Sequence, residues 1–157
     1  MLNYFYIFFG KVMIMKQVIE YIQKNYDPLC LILYGSYADG TNRLNSDFDA
    51  LVITADHEPF HDTSLVAGIP LDVFVYPARY FEGAYACEDF VQIFDGRVIM
   101  DRHDIGKSLL ANVQAYLQNR PEKTSAEIQA NIDWCVKMSA RAKRCDCEGL
   151  FRWHWVL

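Results

Sequence analysis

The most constraining feature of this sequence is a Gly-Ser pair that follows an apolar run and precedes two closely spaced aspartates. The apolar run is residues 29–34, the pair is Gly35 and Ser36, and Asp47 and Asp49 follow after ten intervening residues. The run predicts a buried strand, and Gly-Ser predicts a turn into a short helix. Because a helix N-terminus has free N–H groups and the positive end of the helix dipole, Gly35 and Ser36 are candidates for phosphate binding.

The two aspartates lead a second apolar run, residues 50–53, which predicts a second strand. Since residues i and i+2 of a strand point to the same face, Asp47 and Asp49 are expected to project together. Two unit charges about 4 Å apart repel by roughly 4 kcal/mol at an effective dielectric near 20. A divalent cation between them would remove this repulsion, and oxygen-only ligands favour Mg²⁺.

A third acid, Asp72, lies within residues 68–76, which predict another strand. If this strand pairs beside the strand of Asp47 and Asp49, Asp72 completes a carboxylate triad. A phosphate-binding turn next to an acidic triad indicates phosphoryl or nucleotidyl transfer.

Residues 33–53 resemble the signature of the polymerase-beta-type nucleotidyltransferases, G-S-x(10)-D-x-D with a later third acid. The stretch is most similar to the small bacterial minimal nucleotidyltransferases, which include the antitoxin partners of HEPN toxins, and to the aminoglycoside nucleotidyltransferases. The resemblance covers about residues 16–101, with a weaker match at Asp72.

The resemblance implies transfer of a nucleoside monophosphate, AMP from ATP or another NTP, to an acceptor hydroxyl with Mg²⁺ in a two-metal site. The matching catalytic and metal-binding residues are Asp47, Asp49 and Asp72. The residues predicted to bind the nucleotide are Gly35 and Ser36 of the motif, together with Arg43 and Ser46 in the loop that follows. One position departs from the family pattern: Asp39 stands where minimal nucleotidyltransferases often have a basic residue, and Arg43 is the nearest residue that could offset its charge.

The acceptor stays open between a protein hydroxyl and a small molecule such as an aminoglycoside. The alternative function is a non-catalytic, antitoxin-like module that binds a partner on the same fold. Asp39 and the apolar run 151–157 favour this alternative, whereas the intact acidic triad speaks against it.

Composition limits the class of partner. The chain has 157 residues, is 52% hydrophobic and has a net charge of −5, so stable binding of nucleic acid is not expected. Met1–Phe9 is aromatic and apolar but too short to span a bilayer, and it lacks the features of a signal peptide. Five cysteines without disulfide-framework spacing predict reduced thiols in the cytoplasm, and Cys145 and Cys147 are interpreted as thiols near a helix end.

The pattern of elements predicts an α+β fold, a small mixed β-sheet flanked by helices with a C-terminal helical extension. Helices are expected over 16–25, 77–81, 105–119 and 124–144, strands over 29–34, 48–54 and 70–76, a loop over 56–64 that holds His57 and His61, and a hairpin over 91–100. The predicted domains are a nucleotidyltransferase domain at 16–103 and a helical region at 104–157.

The two ends of the chain also lead to expectations. The regular helical pattern begins near Met15, so Met13 or Met15 is expected to be the native start. The C-terminal run 149–157 ends on bulky apolar residues, which predicts either a continuation of the chain or an interface with a second copy or a helical protein partner.

Overall fold

The computed structural model of the protein describes residues 2–143. Its helices and strands are α1 (Leu2–Tyr26), β1 (Cys30–Leu33), α2 (Gly35–Asp39), β2 (Phe48–Thr54), β3 (Phe60–Asp62), β4 (Leu65–Val66), β5 (Ile69–Pro77), β6 (Arg97–Asp101), α3 (Ile105–Gln118) and α4 (Ser125–Ala142). Two short 3₁₀ helices, Ala78–Phe81 and Cys87–Ile93, lie between β5 and β6. The expected α+β class is confirmed.

The strands form one mixed sheet in the order β3-β5-β2-β1-β6, and β4 pairs with β5. The pairing of β2 with β5 is parallel, and the other pairings are antiparallel. Because β2 lies between two strands, its residues 50–54 are buried throughout, as expected for a central strand that is covered on both faces.

A hydrophobic core lies on each face of the sheet. Alternate residues of β1 point to opposite faces, so Leu31 packs with Val18 of α1, whereas Ile32 packs with Leu109 and Val113 of α3. All five side chains are almost completely buried. Helices on both faces therefore hold β1 and β2, and with them the Gly-Ser turn and the aspartates, in a rigid framework.

The chain divides into two compact units between Asn119 and Arg120. The first unit contains the sheet, α1, α2 and α3, and the second contains α4. Helix α4 begins with the expected capping box, in which the Thr124 hydroxyl accepts from the Glu127 amide and the Glu127 carboxylate accepts from the Thr124 amide. The functional boundary predicted at 103/104 stays a prediction.

Three segments differ from the sequence-based expectations. Helix α1 begins at Leu2 rather than at residue 16, since residues 2–15 contain no proline and an internal glycine costs a helix only about 1 kcal/mol. Phe60–Asp62, expected as part of a loop, forms strand β3. The first arm of the expected hairpin is a 3₁₀ helix, because Phe90 and Ile93 are spaced by three residues and are both buried.

Within residues 2–143, none of the helices combines the length and the apolar character that crossing a bilayer requires. Cys30, Cys87 and Cys135 are free thiols. The predictions made for Cys145, Cys147 and the apolar run 149–157 lie outside the described residues.

Candidate active site

The Gly-Ser turn lies where β1 ends, as the sequence predicts. Tyr34 is extended, and its amide donates to the Asp49 carbonyl at 3.1 Å, which continues the pairing with β2 up to the turn. Gly35 then begins α2 with φ of +63°, a conformation that strongly favours glycine. A Cβ at this position would lie 2.9 Å from Asp49 Cγ. The turn therefore needs glycine for its backbone conformation and for its close approach to a carboxylate.

The strand pairing brings the three predicted acids together. Asp49 and Asp72 are in-register partners on the parallel strands β2 and β5, and Asp47 precedes β2 by one residue. One carboxylate oxygen from each of the three lies within 4.8 Å of the others. Phe48 is completely buried, so the alternation of the strand directs this ring into the core and the flanking acids to the opposite face. The cluster forms a compact set of oxygen ligands.

The electrostatics of the cluster follow from this crowding. Burial first, and then the nearby charges of Asp47 and Asp72, together raise the pKa of Asp49 to about 6. Tyr34 is buried close to the cluster, and its pKa is also raised, by burial first and then by Asp72, Asp49 and Asp47. The site is thus a region of concentrated negative potential, which favours a cation.

The loop between α2 and β2 holds the two other predicted nucleotide-binding residues. Ser46 Oγ accepts from the Arg43 amide at 2.9 Å, and the Ser46 amide donates to the Arg43 carbonyl at 3.1 Å. These bonds close a tight turn that leads into Asp47. The Arg43 side chain is exposed. The structure gives Ser46 a role in shaping the loop, and nucleotide binding by Arg43 and Ser46 stays a prediction.

Asp39, the departure from the family pattern, is engaged within its own loop. Its carboxylate accepts from the Thr41 amide at 2.8 Å and from the Thr41 hydroxyl at 2.7 Å. These hydrogen bonds lower the pKa of Asp39. Gly40, which lies between Asp39 and Thr41 in the chain, ends α2 in the left-handed conformation, with φ of 81°. Asp39 therefore has a local structural role as the acceptor of a turn.

His61 is next to the acids, although its sequence context predicts a surface loop. Its Nε2 donates to Asp72 Oδ1 at 2.5 Å, and its ring stacks on Phe74 with 4.3 Å between centroids and 2° between planes. No sequence pattern predicts the strand that carries His61, because β3 is only three residues long. Only its antiparallel pairing with β5 brings His61 to Asp72.

Comparison with known proteins bears on the same segment. Residues 16–69 match the family model "Polymerase beta, Nucleotidyltransferase". No curated protein sequence matches the chain significantly. Similar solved structures include a toxin–antitoxin crystal structure with AMP-PNP (20% identity, TM-score 0.44) and a mutant of the MntA–HpeT toxin–antitoxin (18% identity, TM-score 0.45). Each alignment covers 77% of this chain and 97% of the other.

The matched segment contains the Gly-Ser turn, the loop after α2 and the first two acids, while Asp72 lies three residues beyond it. The resemblance to the polymerase-beta-type nucleotidyltransferases is therefore confirmed over residues 16–69, the part of the chain that carries the family's Gly-Ser and Asp-x-Asp motif.

Proposed function

We propose that this protein transfers a nucleoside monophosphate, AMP from ATP, to a hydroxyl group of a protein or small-molecule acceptor. One observation carries the proposal. Asp47, Asp49 and Asp72 present carboxylate oxygens within 4.8 Å of one another, next to a glycine turn that closely approaches Asp49. The family model that matches residues 16–69, which contain the turn, Asp47 and Asp49, is that of a nucleotidyltransferase, and this supports the proposal.

The acidic cluster fits Mg²⁺. Its donors are all carboxylate oxygens, which this ion prefers. Burial and then the charges of Asp47 and Asp72 raise the pKa of Asp49, so a cation beside this carboxylate would be favourable. Asp47 and Asp49 would hold the metals of a two-metal site, and Asp72 would help to hold the second. When bound, Mg²⁺ supplies neutralisation of phosphate charge and Lewis acidity.

The residues of this chain would bind and orient the reactants. Gly35 and Ser36 begin α2, and because amides at a helix N-terminus are donors for anions, we assign these two residues to the donor phosphates. Asp72 is the acid proposed to orient the acceptor hydroxyl and accept its proton. The acceptor oxygen then forms a bond to the α-phosphorus. At the same time the bond between the α-phosphorus and the oxygen that links it to the β-phosphate breaks, and pyrophosphate leaves.

The surroundings of the turn bear on donor binding. Two hydrogen bonds from Thr41 fix the Asp39 carboxylate within the loop and keep it ionised, so a cationic side chain is needed to offset its charge toward a triphosphate. We propose that the exposed Arg43 and the Ser46 turn that fixes its backbone contact the donor phosphates.

The net charge of the chain bears on the class of acceptor, and its free cysteines bear on the compartment. A net charge of −5 favours a cationic small molecule or a protein surface over nucleic acid. The free thiols of Cys30, Cys87 and Cys135 agree with a reducing compartment. We therefore propose a cytoplasmic enzyme.

A second candidate function is a non-catalytic module that binds a helical protein or a second copy of the chain. Four large apolar residues of α4 are exposed, which favours this alternative: Ile128, Ile132, Trp134 and Val136. Replacement of Ile132 by Asp would weaken partner binding if this surface is used, whereas Asp49→Asn would leave it intact.

The experiment that tests the first proposal is transfer of label from α-³²P-ATP, with Mg²⁺, to host proteins and to an aminoglycoside panel. Asp49→Asn should abolish transfer, while Asp56→Asn, a matched change at an exposed acid outside the cluster, should retain it. If the unaltered protein labels no acceptor and also fails to bind ATP, the proposal is wrong.

A further inference from the structure

His61 lies next to the acidic triad, in hydrogen-bond contact with Asp72, and the family motif does not contain it. It lies on β3, where its in-register partner on β5 is Phe74. Asp72 is two residues before Phe74, so both point to the same face of the sheet. His61 Nε2 therefore reaches Asp72 Oδ1 diagonally across the two strands, at 2.5 Å.

The imidazole ring of His61 is held by Asp72 at its edge and by the ring of Phe74 against its face. Its plane is parallel to that of Phe74, 2° apart, with 4.3 Å between centroids, so rotation of the ring would break the stack. The next residue, Asp62, points to the opposite face of the strand and is buried. There it accepts from the Tyr26 hydroxyl and, at 2.9 Å, from the Ser64 amide. These contacts anchor β3 and present His61 to Asp72 in one orientation.

The exposure of the pair indicates what the contact does. The side chains of His61 and Asp72 are 42% and 35% exposed, and a contact this open to water contributes little to folding stability. It does restrict the rotation of the Asp72 carboxylate, because Oδ1 has a fixed donor. His61 thus supplies a side-chain donor to one carboxylate of the triad.

We propose that His61 is a positioning residue that fixes the carboxylate of Asp72 for metal binding by the triad; this inference rests on the proposed function. A residue that hydrogen-bonds to a metal ligand fixes the orientation of that ligand, and loss of such a residue typically lowers metal affinity by about 10- to 100-fold. The required chemistry is a single N–H donor at the position of Nε2. No change in the charge of His61 is needed.

Two variants separate the donor from the ring. His61→Phe keeps an aromatic ring for the stack on Phe74 and removes the donor, whereas His61→Gln removes the ring and keeps an N–H donor at similar reach. His57→Phe is the matched control, because it makes the same change at an imidazole that contacts Tyr26 and Phe60 rather than Asp72. Each is made in the full chain, and the thermal midpoint is checked by circular dichroism.

The readout is the Mn²⁺ dissociation constant, measured without nucleotide from the electron paramagnetic resonance signal of free Mn²⁺. We expect His61→Phe to weaken binding about tenfold, His61→Gln to stay within about threefold of the unaltered protein, and His57→Phe to bind as the unaltered protein does. If His61→Phe does not fold, His61→Leu provides the same loss of the donor.

Asp49→Asn in the same series distinguishes the inference from the function on which it depends. If Asp49→Asn abolishes Mn²⁺ binding but His61→Phe and His61→Leu bind normally, the positioning role is wrong and the metal site stands. If the unaltered protein binds no Mn²⁺, or binds it equally well with Asp49→Asn, both the metal site and the positioning role are overturned.

Discussion

Asp49 and Asp72 are direct partners on adjacent parallel strands, with Gly35 packed against the carboxylate of Asp49. Like charges directly opposite each other destabilise a sheet, so the apo protein carries an electrostatic strain at this point. Burial first, and then the charges of Asp47 and Asp72, raise the pKa of Asp49 to about 6. The arrangement is therefore explained better by a bound cation than by a contribution to folding.

The first prediction concerns the stability of the metal-free protein. Since the folded protein raises the pKa of Asp49 from 3.8 to about 6, the folded state binds more protons than the unfolded state between these values, and stability falls as pH rises through this window. Asp49→Asn should therefore be more stable than the unaltered protein at pH 7.5, by about 1 kcal/mol after allowance for solvent screening. Urea unfolding in EDTA measures this difference.

The same series has an internal control. Below about pH 3 Asp49 is largely protonated in both states, so the advantage of Asp49→Asn should disappear there. Asp56→Asn should show no such gain at pH 7.5. Equal stabilities of Asp49→Asn and the unaltered protein at both pH values would contradict the strained cluster.

The second prediction concerns the glycine turn. Gly35→Ala forces a Cβ onto a residue with φ of +63° and places it 2.9 Å from Asp49 Cγ. Gly40→Ala is the matched control, because Gly40 also has positive φ, 81°, but has no atom within 4 Å of an added Cβ. Both changes should lower stability by at least about 1 kcal/mol through backbone strain.

Only Gly35→Ala should also disturb the acids. We expect it to weaken Mn²⁺ binding by at least about tenfold, as loss of ligand geometry does, while Gly40→Ala leaves the dissociation constant unchanged. Calorimetric titration with Mn²⁺ provides the comparison. Equal Mn²⁺ affinities for the two variants would mean that Gly35 serves the turn alone.

The sequence reveals the centre of the fold and of the site because the signals there are local. The apolar runs of β1, β2 and β5 mark the strands, and Gly35-Ser36 marks the turn into α2. Asp47 and Asp49 are assigned to one face by the period of a strand alone. Asp72 needed one additional assumption, the pairing of β5 beside β2, and the structure confirms that pairing.

Features that depend on tertiary contacts could not be predicted in this way. The strand β3 has three residues and gains its order from β5 and from the bond between Asp62 and Tyr26, so His61 was assigned to a loop. The apolar residues at 91–94 read equally well as a strand or a helix. Burial of Phe90 together with Ile93 favours the 3₁₀ helix.

The third prediction tests how β3 is anchored. The buried hydroxyl of Tyr26, at the end of α1, donates to the Asp62 carboxylate. Burial opposes the charge of Asp62, but hydrogen bonds from Ser64 and Tyr26 outweigh it and lower the pKa of Asp62. Tyr26→Phe should cost about 2 kcal/mol at pH 7, because a buried charged acceptor loses a donor.

Urea unfolding measures this loss, with Tyr80→Phe, a partly exposed tyrosine, as the control. A lowered pKa stabilises the fold above the unfolded value of 3.8 and loses that contribution as pH falls through the folded value. The deficit of Tyr26→Phe should therefore shrink below about pH 4. A Tyr26→Phe protein as stable as the unaltered one at pH 7 would show that β3 is held by its strand pairing alone.

The central claim is that the triad and the glycine turn form a metal-dependent donor site, and thermal unfolding with each NTP, with and without Mg²⁺, tests it most directly. At one hundred times its dissociation constant, a ligand adds about 2.7 kcal/mol to the free energy of unfolding, which is several degrees for a domain of this size. We predict a rise in the midpoint with ATP and Mg²⁺ that is absent without the metal and lost in Asp49→Asn, but kept in Asp56→Asn. The absence of a shift with any NTP, or a shift that Asp49→Asn retains in full, would contradict the account.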